Sequence, residues 1–239
     1  MRSSIKIVNN SINHIGFIMD GNRRFAKRLM LEPWKGHEIG KEKLKEVLSW
    51  LSELEIHEAT FYAFSRQNFN RPKKEFDYLM RIFLAMSTDF LNDPKINDND
   101  IRIRFVGETH LFPKNVQKVI QEVTDKTAEN TNYIINIALG YGGRDEIINA
   151  VKNIANQVKQ EKLSIDEINE ETITSNLKIQ SEPDLIIRTG GDHRTSNFLP
   201  WQSIYSEWAF VDKMWPEFNK EDFIECVNAF NARERRFGK

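Results

Sequence analysis

Short apolar runs alternate with longer amphipathic stretches along most of this chain, and this alternation constrains the fold more than any other feature. Several runs are apolar throughout, which is typical of strands that are buried on both faces of a parallel sheet. The β-rich runs cover residues 15–19, 59–64, 101–106, 133–139, 184–188 and 208–211. The alternation predicts an α/β fold with a central, mostly parallel six-stranded sheet flanked by helices.

Amphipathic stretches fill the intervals between these runs. One helical stripe within residues 36–54 carries Ile39, Leu44, Val47, Leu48 and Leu51. Helices are also predicted over residues 76–91, 113–129, 144–159 and 220–236, and a short helix opens within 164–171. Residues 93–100 are polar and predict a loop. Because no internal repeat or low-complexity linker divides the chain, we expect residues 1–239 to form a single domain, with a flexible N-terminal arm at 1–13 and a C-terminal arm at 233–239.

Composition excludes several classes of protein. The chain has 239 residues, of which 40% are hydrophobic and 29% charged, and these are globular proportions. A net charge of -1 argues against a general electrostatic hold on nucleic acid. The single cysteine, Cys226, excludes an internal disulfide framework. The chain begins without a signal-peptide core and has no run of the ~18 apolar residues that a membrane span needs, so we expect a cytoplasmic or membrane-peripheral protein.

Charged and glycine residues follow the first predicted strand. The segment at 20–24 reads DGNRR, and a helix then begins. Gly21 lets the backbone approach a ligand, while the two arginines and Lys27 add positive charge. The alternative is that Asp20 and Asn22 only cap the helix. Since a cap does not require two neighbouring arginines, the segment favours an anion site.

A second basic segment, RTGGDHRTSN at 188–197, follows the fifth predicted strand. Two arginines, two glycines and a serine within ten residues are typical of a diphosphate clamp, because the planar guanidinium group binds phosphate oxygens in pairs. The alternative is that Glu207, shortly downstream, pairs with these arginines. The turn at 65–72, after the second strand, and the glycine-rich turn at 140–144 are weaker signals.

Two anion clusters at the ends of different strands predict two phosphorylated substrates, since ligands of open α/β sheets bind beyond the carboxyl ends of the strands. Asp20 and Glu207 are then suitable ligands for magnesium, which binds carboxylate and phosphate oxygens. His37 and His193 lie near the clusters in sequence, and each either bonds a phosphate or simply packs. A zinc site is not expected, because no compact His/Cys set exists.

Taken together, these segments resemble the cis-prenyltransferase family, which is typified by undecaprenyl diphosphate synthase. The matching blocks follow the family's order over nearly the whole chain: HIGFIMDGNRRFAK, GHEIGKEKL, YAFSRQNFNRP, NIALGYGGRDEI, PDLIIRTGGDHRTSNFLPWQ, YSEWAFVDKMWPEF and NAFNARERRFG. The DGNRR variant is more like that of archaeal and eukaryotic members. The resemblance implies a hydrophobic tunnel within the domain, a homodimer, Mg²⁺ as cofactor and peripheral membrane contact for product release.

The implied reaction is cis-prenyl chain elongation. Isopentenyl diphosphate condenses onto an allylic prenyl diphosphate, farnesyl or geranylgeranyl, to give a long-chain product such as undecaprenyl diphosphate, the precursor of a glycosyl carrier lipid. The resemblance assigns catalysis to Asp20 and Asn68, the latter in proton removal, and magnesium binding to Asp20 and Glu207. It also implies substrate contacts for Gly21, Asn22, Arg23, Arg24, Phe25, His37, Ser65, Phe69, Arg71, Arg188, Arg194 and Ser196. Arg236 and Gly238 resemble an element that completes the partner's site.

Some positions depart from the family's bacterial members, which usually have glycine at Arg23, tryptophan at Phe25 and arginine at Pro33. These departures leave the allylic primer open between farnesyl and geranylgeranyl diphosphate. In the family, the residue aligned with Tyr133 can act as a tunnel floor, so a bulky tyrosine there predicts a limit on product length.

Three alternatives remain at this stage. A short-chain cis-prenyl diphosphate synthase differs only in tunnel depth. A non-catalytic supporting subunit would be expected to lose Asp20 and the arginine clamp, and this chain keeps both. A nucleotide-binding phosphotransferase would need a GxxxxGK[ST] or GxGxxG segment after a strand, and the sequence has neither in that position.

Overall fold

A computed structural model describes residues 11–233 of the chain. Its strands form one six-stranded sheet in the order β3-β4-β2-β1-β5-β6. Every described pairing is parallel, so the predicted sheet is confirmed. The strands are β1 (His14–Ile18), β2 (Glu58–Ser65), β3 (Ile101–Val106), β4 (Tyr133–Tyr141), β5 (Leu185–Thr189) and β6 (Glu207–Val211).

Helices connect the strands and cover both faces of the sheet. They are α1 (Asn22–Arg28), α2 (Lys35–Glu53), α3 (Lys73–Asn92), α4 (Lys95–Asp98), α5 (Lys114–Lys126), α6 (Gly143–Lys159), α7 (Glu170–Ser175) and α8 (Lys220–Asn231). Two predictions need correction. The polar stretch 93–100 contains the short helix α4, which begins after Pro94, and the last predicted helix ends at Asn231 instead of continuing to 236.

Two apolar layers hold the sheet between them, because successive residues of a strand face opposite sides. On one face Phe17 of β1 stacks on Phe61 of β2 at 5.0 Å, within the larger cluster that packs against α2, α3, α5 and α8. On the other face Ile18 belongs to a smaller cluster with Phe198. All five residues of β1 are buried, and the four that follow His14 carry no polar side chain.

The beginning of the described chain is part of this packing. Ile12 is buried in the larger cluster, and the backbone N–H of Asn13 donates to Asp184 Oδ2 at 2.8 Å. The prediction of a flexible arm is therefore wrong for residues 11–13, where an apolar side chain continues the core beyond β1. Residues 1–10 and most of the predicted C-terminal arm, including Arg236 and Gly238, lie outside the described residues. Within 11–233, no helix is long and apolar enough to cross a bilayer.

The central position of β1 determines where a ligand can bind. β1 pairs with β2 on one side and with β5 on the other, and Ile18 lies level with Arg188. The chain leaves β1 towards β2, whereas β5 arrives later on the opposite side, so the loops after β1 and β5 separate around a crevice. This is the arrangement in which open parallel sheets bind ligands.

Candidate active site

A cavity of about 600 Å³ opens at the carboxyl ends of β1, β2 and β5. Polar residues from the strand ends and the adjoining turns form its mouth: Asp20, Asn22, His37, Ser65, Asn68, Arg71, Arg188 and Ser196. Apolar residues from the strand interiors and from α2 and α3 form its body: Leu44, Phe61, Leu79, Ile82, Phe83, Met86 and Ile137. The cavity therefore suits a ligand with an anionic head and an apolar tail. A tunnel that continues beyond it stays a prediction.

Arg188 and Asp20 form the centre of the mouth. Arg188 Nη2 donates to Asp20 Oδ2 at 2.8 Å, and its Nη1 donates to Ser196 Oγ at 2.7 Å. Nη1 also donates to the Arg194 carbonyl oxygen. The guanidinium is buried, and its Nε–H has no hydrogen-bond partner among the described residues. An unpaired buried donor is costly. Arg188 also lines the cavity, so its guanidinium charge lies beside the space where an anionic ligand would bind.

The two predicted anion clusters prove to be continuous through one carboxylate. Arg24 Nη2 lies 3.4 Å from Asp20 Oδ1, and Arg194 Nη2 lies 4.0 Å from Asp20 Oδ2. Asp192, which was not predicted as a site residue, accepts hydrogen bonds from both arginines at 3.1 and 3.0 Å. The hydrogen bond and charge of Arg194, and then the charge of Arg24, lower the pKa of Asp192. Two phosphorylated heads would therefore bind as neighbours around Asp20.

Gly21 provides the close approach that this geometry needs. Its φ of 101° lies in the left-handed region, which side chains disfavour. A Cβ at Gly21 would also come 2.7 Å from Met214 Cβ, so the position requires glycine. The adjacent Asn22 is buried, donates to the Met19 carbonyl at 3.0 Å, and lines the mouth. Its contact with substrate stays a prediction.

On the α2–α3 side of the mouth, a buried carboxylate that the sequence did not reveal holds two arginines. Glu75 Oε1 accepts from Arg71 Nη1 at 2.7 Å and lies 3.5 Å from Arg23 Nε. The imidazole of His37 is 3.3 Å from the same Arg71 nitrogen. Burial, and then the charges of Arg71 and Arg23, lower the pKa of His37 to about 3. His37 is therefore neutral near pH 7 and accepts from Arg71. The i,i+4 spacing of Arg71 and Glu75 was the available sequence signal.

The turn after β2 places Ser65 and Asn68 at the cavity. Asn68 Oδ1 accepts from the Ser65 backbone N–H at 2.9 Å, which fixes the orientation of the amide. Tyr62, a cavity residue that was not predicted, donates to the Ser196 carbonyl at 3.3 Å. Burial raises the pKa of Tyr62 to about 12, so its hydroxyl stays protonated.

Two predicted contacts are not brought to the cavity mouth. Phe69 packs against Phe64 and Phe112, with ring centroids 5.1 and 4.9 Å apart, and Phe25 lies under the Arg28 guanidinium at 5.4 Å. Neither lines the large cavity or the smaller one beside it. His193 stacks on Phe210 at 4.7 Å, so the packing alternative holds for it.

Glu207 lies at the amino ends of the strands, whereas Asp20 lies at their carboxyl ends. It is the first residue of β6 and pairs with Leu185, three residues before Arg188 on β5, which is roughly 10 Å along the strand. Its carboxylate binds Arg233 at 2.7 Å. The prediction that Glu207 shares a magnesium ion with Asp20 is therefore wrong within one chain. Residues 11–233 contain no group of three or more His, Cys, Asp or Glu side chains that could hold a metal ion.

Tyr133 also lies at the amino ends of the strands, as the first residue of β4. Its ring stacks on His57 at 4.9 Å, and the cavity extends down β4 only as far as Ile137. Tyr133 therefore does not form the floor of the described cavity. The apolar lining of the cavity comes instead from α2, α3 and the middle of the sheet.

An open parallel sheet with an arginine-lined mouth above an apolar cavity defines a class of protein that binds amphiphilic phosphate esters. The model of the undecaprenyl diphosphate synthase family matches residues 18–238, and the chain belongs to this family. It is a prenyltransferase.

Curated relatives agree along most of the chain. A protein from Pyrococcus horikoshii is 45% identical over 228 residues, covering 95% of this chain and 86% of the relative. A protein from Methanocaldococcus jannaschii is 45% identical over 231 residues, covering 95% and 82%. Both are named tritrans,polycis-undecaprenyl-diphosphate synthase (geranylgeranyl-diphosphate specific).

Solved structures share the fold. Lavandulyl diphosphate synthase from Lavandula x intermedia, in complex with dimethylallyl diphosphate, superposes with a TM-score of 0.89 at 33% identity, covering 96% of this chain and 99% of that one. A probable undecaprenyl diphosphate synthase from Campylobacter jejuni gives 0.80 at 32%, covering 97% and 100%. One fold at about the same identity thus carries two differently named activities, so the fold by itself does not determine the product.

Proposed function

We propose that this enzyme extends geranylgeranyl diphosphate by successive cis additions of isopentenyl diphosphate to a long-chain polyprenyl diphosphate such as undecaprenyl diphosphate. The observation that carries the proposal is the single cavity that joins an arginine-rich mouth to an apolar body of aliphatic and aromatic side chains. The archaeal relatives, whose names specify this primer and product, support the choice over farnesyl diphosphate.

The chemistry separates charge, and the residues of the mouth suit each part of it. As the allylic C–O bond breaks, the diphosphate leaves with the electron pair, and Arg24 and Arg71 stabilise it by charge-assisted hydrogen bonds. Arg188 and Ser196 hold isopentenyl diphosphate so that its double bond faces the allylic carbon. The π electrons form the new C–C bond, and a proton leaves C2. An oxygen of the departing diphosphate accepts that proton. Asn68, whose neutral amide is not a base, takes part by orienting the reacting groups, and its bond to Ser65 fixes its amide.

Magnesium is part of the proposal. Asp20 lines both the large cavity and the smaller one beside it, so its carboxylate fits one ligand position, with diphosphate oxygens and water supplying others. A bound ion would neutralise charge on the departing diphosphate. Within one chain, Glu207 cannot be a ligand of the same magnesium ion, because it lies at the amino ends of the strands and Asp20 at their carboxyl ends.

We also propose a homodimer that associates through the β6 edge. β6 is the last strand of the sheet, and Trp208 and Phe210 on it are only partly buried and stack at 5.9 Å. Ile204 and Tyr205, just before it, are exposed. The outer edge of β6 pairs with no other strand within residues 11–233, and such an edge with adjacent apolar side chains favours pairing with a second chain.

The experiment that tests the proposal is a primer and product assay. Purified enzyme is incubated with labelled isopentenyl diphosphate and, separately, dimethylallyl, geranyl, farnesyl or geranylgeranyl diphosphate, and the products are sized. We expect the highest kcat/KM with geranylgeranyl diphosphate and a long product ladder. A single condensation onto dimethylallyl diphosphate would instead establish a short-chain synthase. No product from any primer, with the fold verified, would indicate a non-catalytic subunit.

A further inference from the structure

The loop between α1 and α2 exposes three consecutive apolar side chains. Met30 is 96% exposed, and its neighbours Leu29 and Leu31 are 49% and 44% exposed. Isolated exposed apolar residues are ordinary, but a contiguous set is a candidate contact surface. We call residues 29–31 the apolar loop.

Local structure does not account for Met30. The Met30 N–H donates to the Lys27 carbonyl at 3.0 Å and the Leu31 N–H to the Ala26 carbonyl at 2.9 Å. These two bonds end α1 in a Schellman motif, which places Met30 at the position that glycine usually occupies. Its φ is 57°, in the left-handed region. A long apolar side chain here is thus disfavoured by backbone conformation and gains nothing from burial in the core.

The surroundings of the apolar loop carry positive charge. Residues 23–35 hold five cationic side chains and one anionic one, Glu32, a formal charge of +4 in a chain whose net charge is -1. Four of the five cations are ion-paired with acidic side chains outside residues 23–35: Arg23 with Glu75, Arg24 with Asp20 and Asp192, Arg28 with Glu217, and Lys35 with Glu38. Lys27 is the cation of this segment that stands outside these pairs. Next to the loop, Lys74 Nζ lies 4.8 Å from the ring centroid of the partly buried Trp34. Tryptophan and long cationic side chains are suited to a bilayer interface.

The apolar loop is also close to the substrate entrance. Lys27, two residues before it, and Pro33, two residues after it, line the smaller cavity, which includes Asp20, Arg24 and His37. A surface that held the protein against lipid here would bring the mouth to the bilayer.

From these observations we propose that the apolar loop, with its cationic surroundings, docks the enzyme on the surface of an anionic lipid bilayer. Met30, Leu29 and Leu31 enter the headgroup region, and Lys27 and Lys74, which stand outside the ion pairs, attract anionic lipid. The proposal deepens the proposed function, because a polyprenyl diphosphate is a lipid whose apolar tail must leave the cavity without crossing water.

Vesicle co-sedimentation without substrate tests this directly. We expect the full chain to bind vesicles of phosphatidylglycerol and phosphatidylcholine, and to bind pure phosphatidylcholine much less. Binding to the anionic vesicles should fall in high salt, which screens exposed charges. Equal binding to both vesicles, or binding to neither, would overturn the proposal.

The variant Met30→Asn removes the apolar side chain where asparagine tolerates the left-handed backbone, so the fold should be kept. We expect it to weaken partitioning into anionic vesicles about tenfold, which corresponds to ~1.4 kcal/mol. The matched control is Ile165→Asn, which removes another side chain that is 72% exposed, in the polar stretch before α7. Equal loss in both variants would overturn the assignment of the surface.

Two further measurements separate the rival explanations. If the loop instead contacts a second copy of the chain, Met30→Asn will change the mass in sedimentation equilibrium and leave vesicle binding intact, which overturns the proposal. Turnover of a soluble primer in detergent should be the same in Met30→Asn and wild type. If wild type makes no prenyl product but still binds anionic vesicles through Met30, the proposed function fails while this surface stands.

Discussion

Arg188 of β5 donates from Nη2 to Asp20 Oδ2 over 2.8 Å, which joins β5 to the loop after β1 across 168 residues of sequence. Burying a guanidinium is costly unless an anion pairs with it. Asp20 supplies that anion before substrate arrives, so it holds Arg188 in position as well as contributing a carboxylate to the mouth. A bound diphosphate would compete with Asp20 for Arg188, and the carboxylate would then become available to a cation.

The first prediction concerns Asp20. Replacing it by asparagine keeps the shape but removes the charge, so we expect the rate to fall at least tenfold, ~1.4 kcal/mol of barrier. Unfolding free energy should fall by about 1–3 kcal/mol, because Arg188 loses its anionic partner. Inorganic diphosphate should raise the melting temperature of Asp20→Asn more than that of wild type, since it replaces the missing anion. A rate above a tenth of wild type would contradict the assigned role.

The second prediction concerns Glu75, which positions Arg71 and Arg23 without lining the cavity. Glu75→Ala removes the anchor of both arginines, so the KM of the allylic primer should rise about five- to tenfold, the effect of one charge-assisted hydrogen bond. Glu75→Gln keeps an acceptor for Arg71 and should stay within about twofold of wild type. The KM of isopentenyl diphosphate should change little in both variants. Equal rises for the two substrates would mean that Glu75 supports the fold and not one subsite.

The third prediction is a pH dependence of stability. His37 has a pKa lowered to about 3 in the folded protein, against 6.5 as its ordinary value. Between pH 3 and pH 6.5 the unfolded chain binds a proton at His37 that the folded chain does not bind. The stability that neutral His37 contributes is therefore fully present above pH 6.5 and is lost as the pH falls. From pH 6.5 to 5 the loss should be about 1–2 kcal/mol. His37→Gln should remove this part of the slope in urea unfolding at pH 5.0 and 7.5.

A second histidine provides the control for that experiment. Burial also lowers the pKa of His14, which bonds Thr60 Oγ1 at 2.8 Å beneath the opposite face of the sheet. The acid slope of His37→Gln should therefore be reduced and not abolished. An unchanged slope would show that His37 titrates alike in the folded and unfolded chains.

Much of the fold was accessible from sequence because the strands are buried on both faces. β3 was predicted at its observed bounds, and each of the other strands differs by one or two residues at one end or at both. The sequence did not reveal which strands are neighbours in the sheet, and therefore which side chains meet. The contact of Asp20 with Arg188 depends on β1 pairing with β5, and no local pattern encodes that pairing.

Glu207 shows the converse error, because it is close to the basic segment in sequence but distant from Asp20 in the fold. It follows the basic segment 188–197 closely in sequence, which made it a candidate ligand for a magnesium ion shared with Asp20. However, a strand that pairs parallel to β5 must begin where β5 begins. The chain therefore crosses back after residue 197, and Glu207 lies level with Leu185. Glu75 was missed because an acidic residue in the first turn of a helix is ordinary, and only the fold buries it against Arg71 and Arg23.

The last prediction concerns product length. α3 begins at the mouth with Lys73, and Met86 lies thirteen residues on, roughly 20 Å along the helix axis. Met86 is the cavity-lining residue of α3 farthest from the mouth, whereas Tyr133 lies outside the cavity. Met86→Ala should therefore deepen the cavity and lengthen the main product by about one isoprene unit, because buried space that a removed side chain leaves is only partly refilled.

The same substitution at Met80 separates cavity depth from loss of stability. Met80 is buried on α3 but does not line the cavity. Each Met→Ala change should cost about 2–5 kcal/mol of unfolding free energy, yet only Met86→Ala should shift the product ladder. Tyr133→Ala should leave the product lengths unchanged, since the Tyr133 ring packs on His57 at the amino ends of the strands, outside the cavity. A ladder that lengthens in Tyr133→Ala and not in Met86→Ala would mean that the growing chain passes beyond the described cavity, between α3 and the sheet, and that its end is defined at the amino edge of β4.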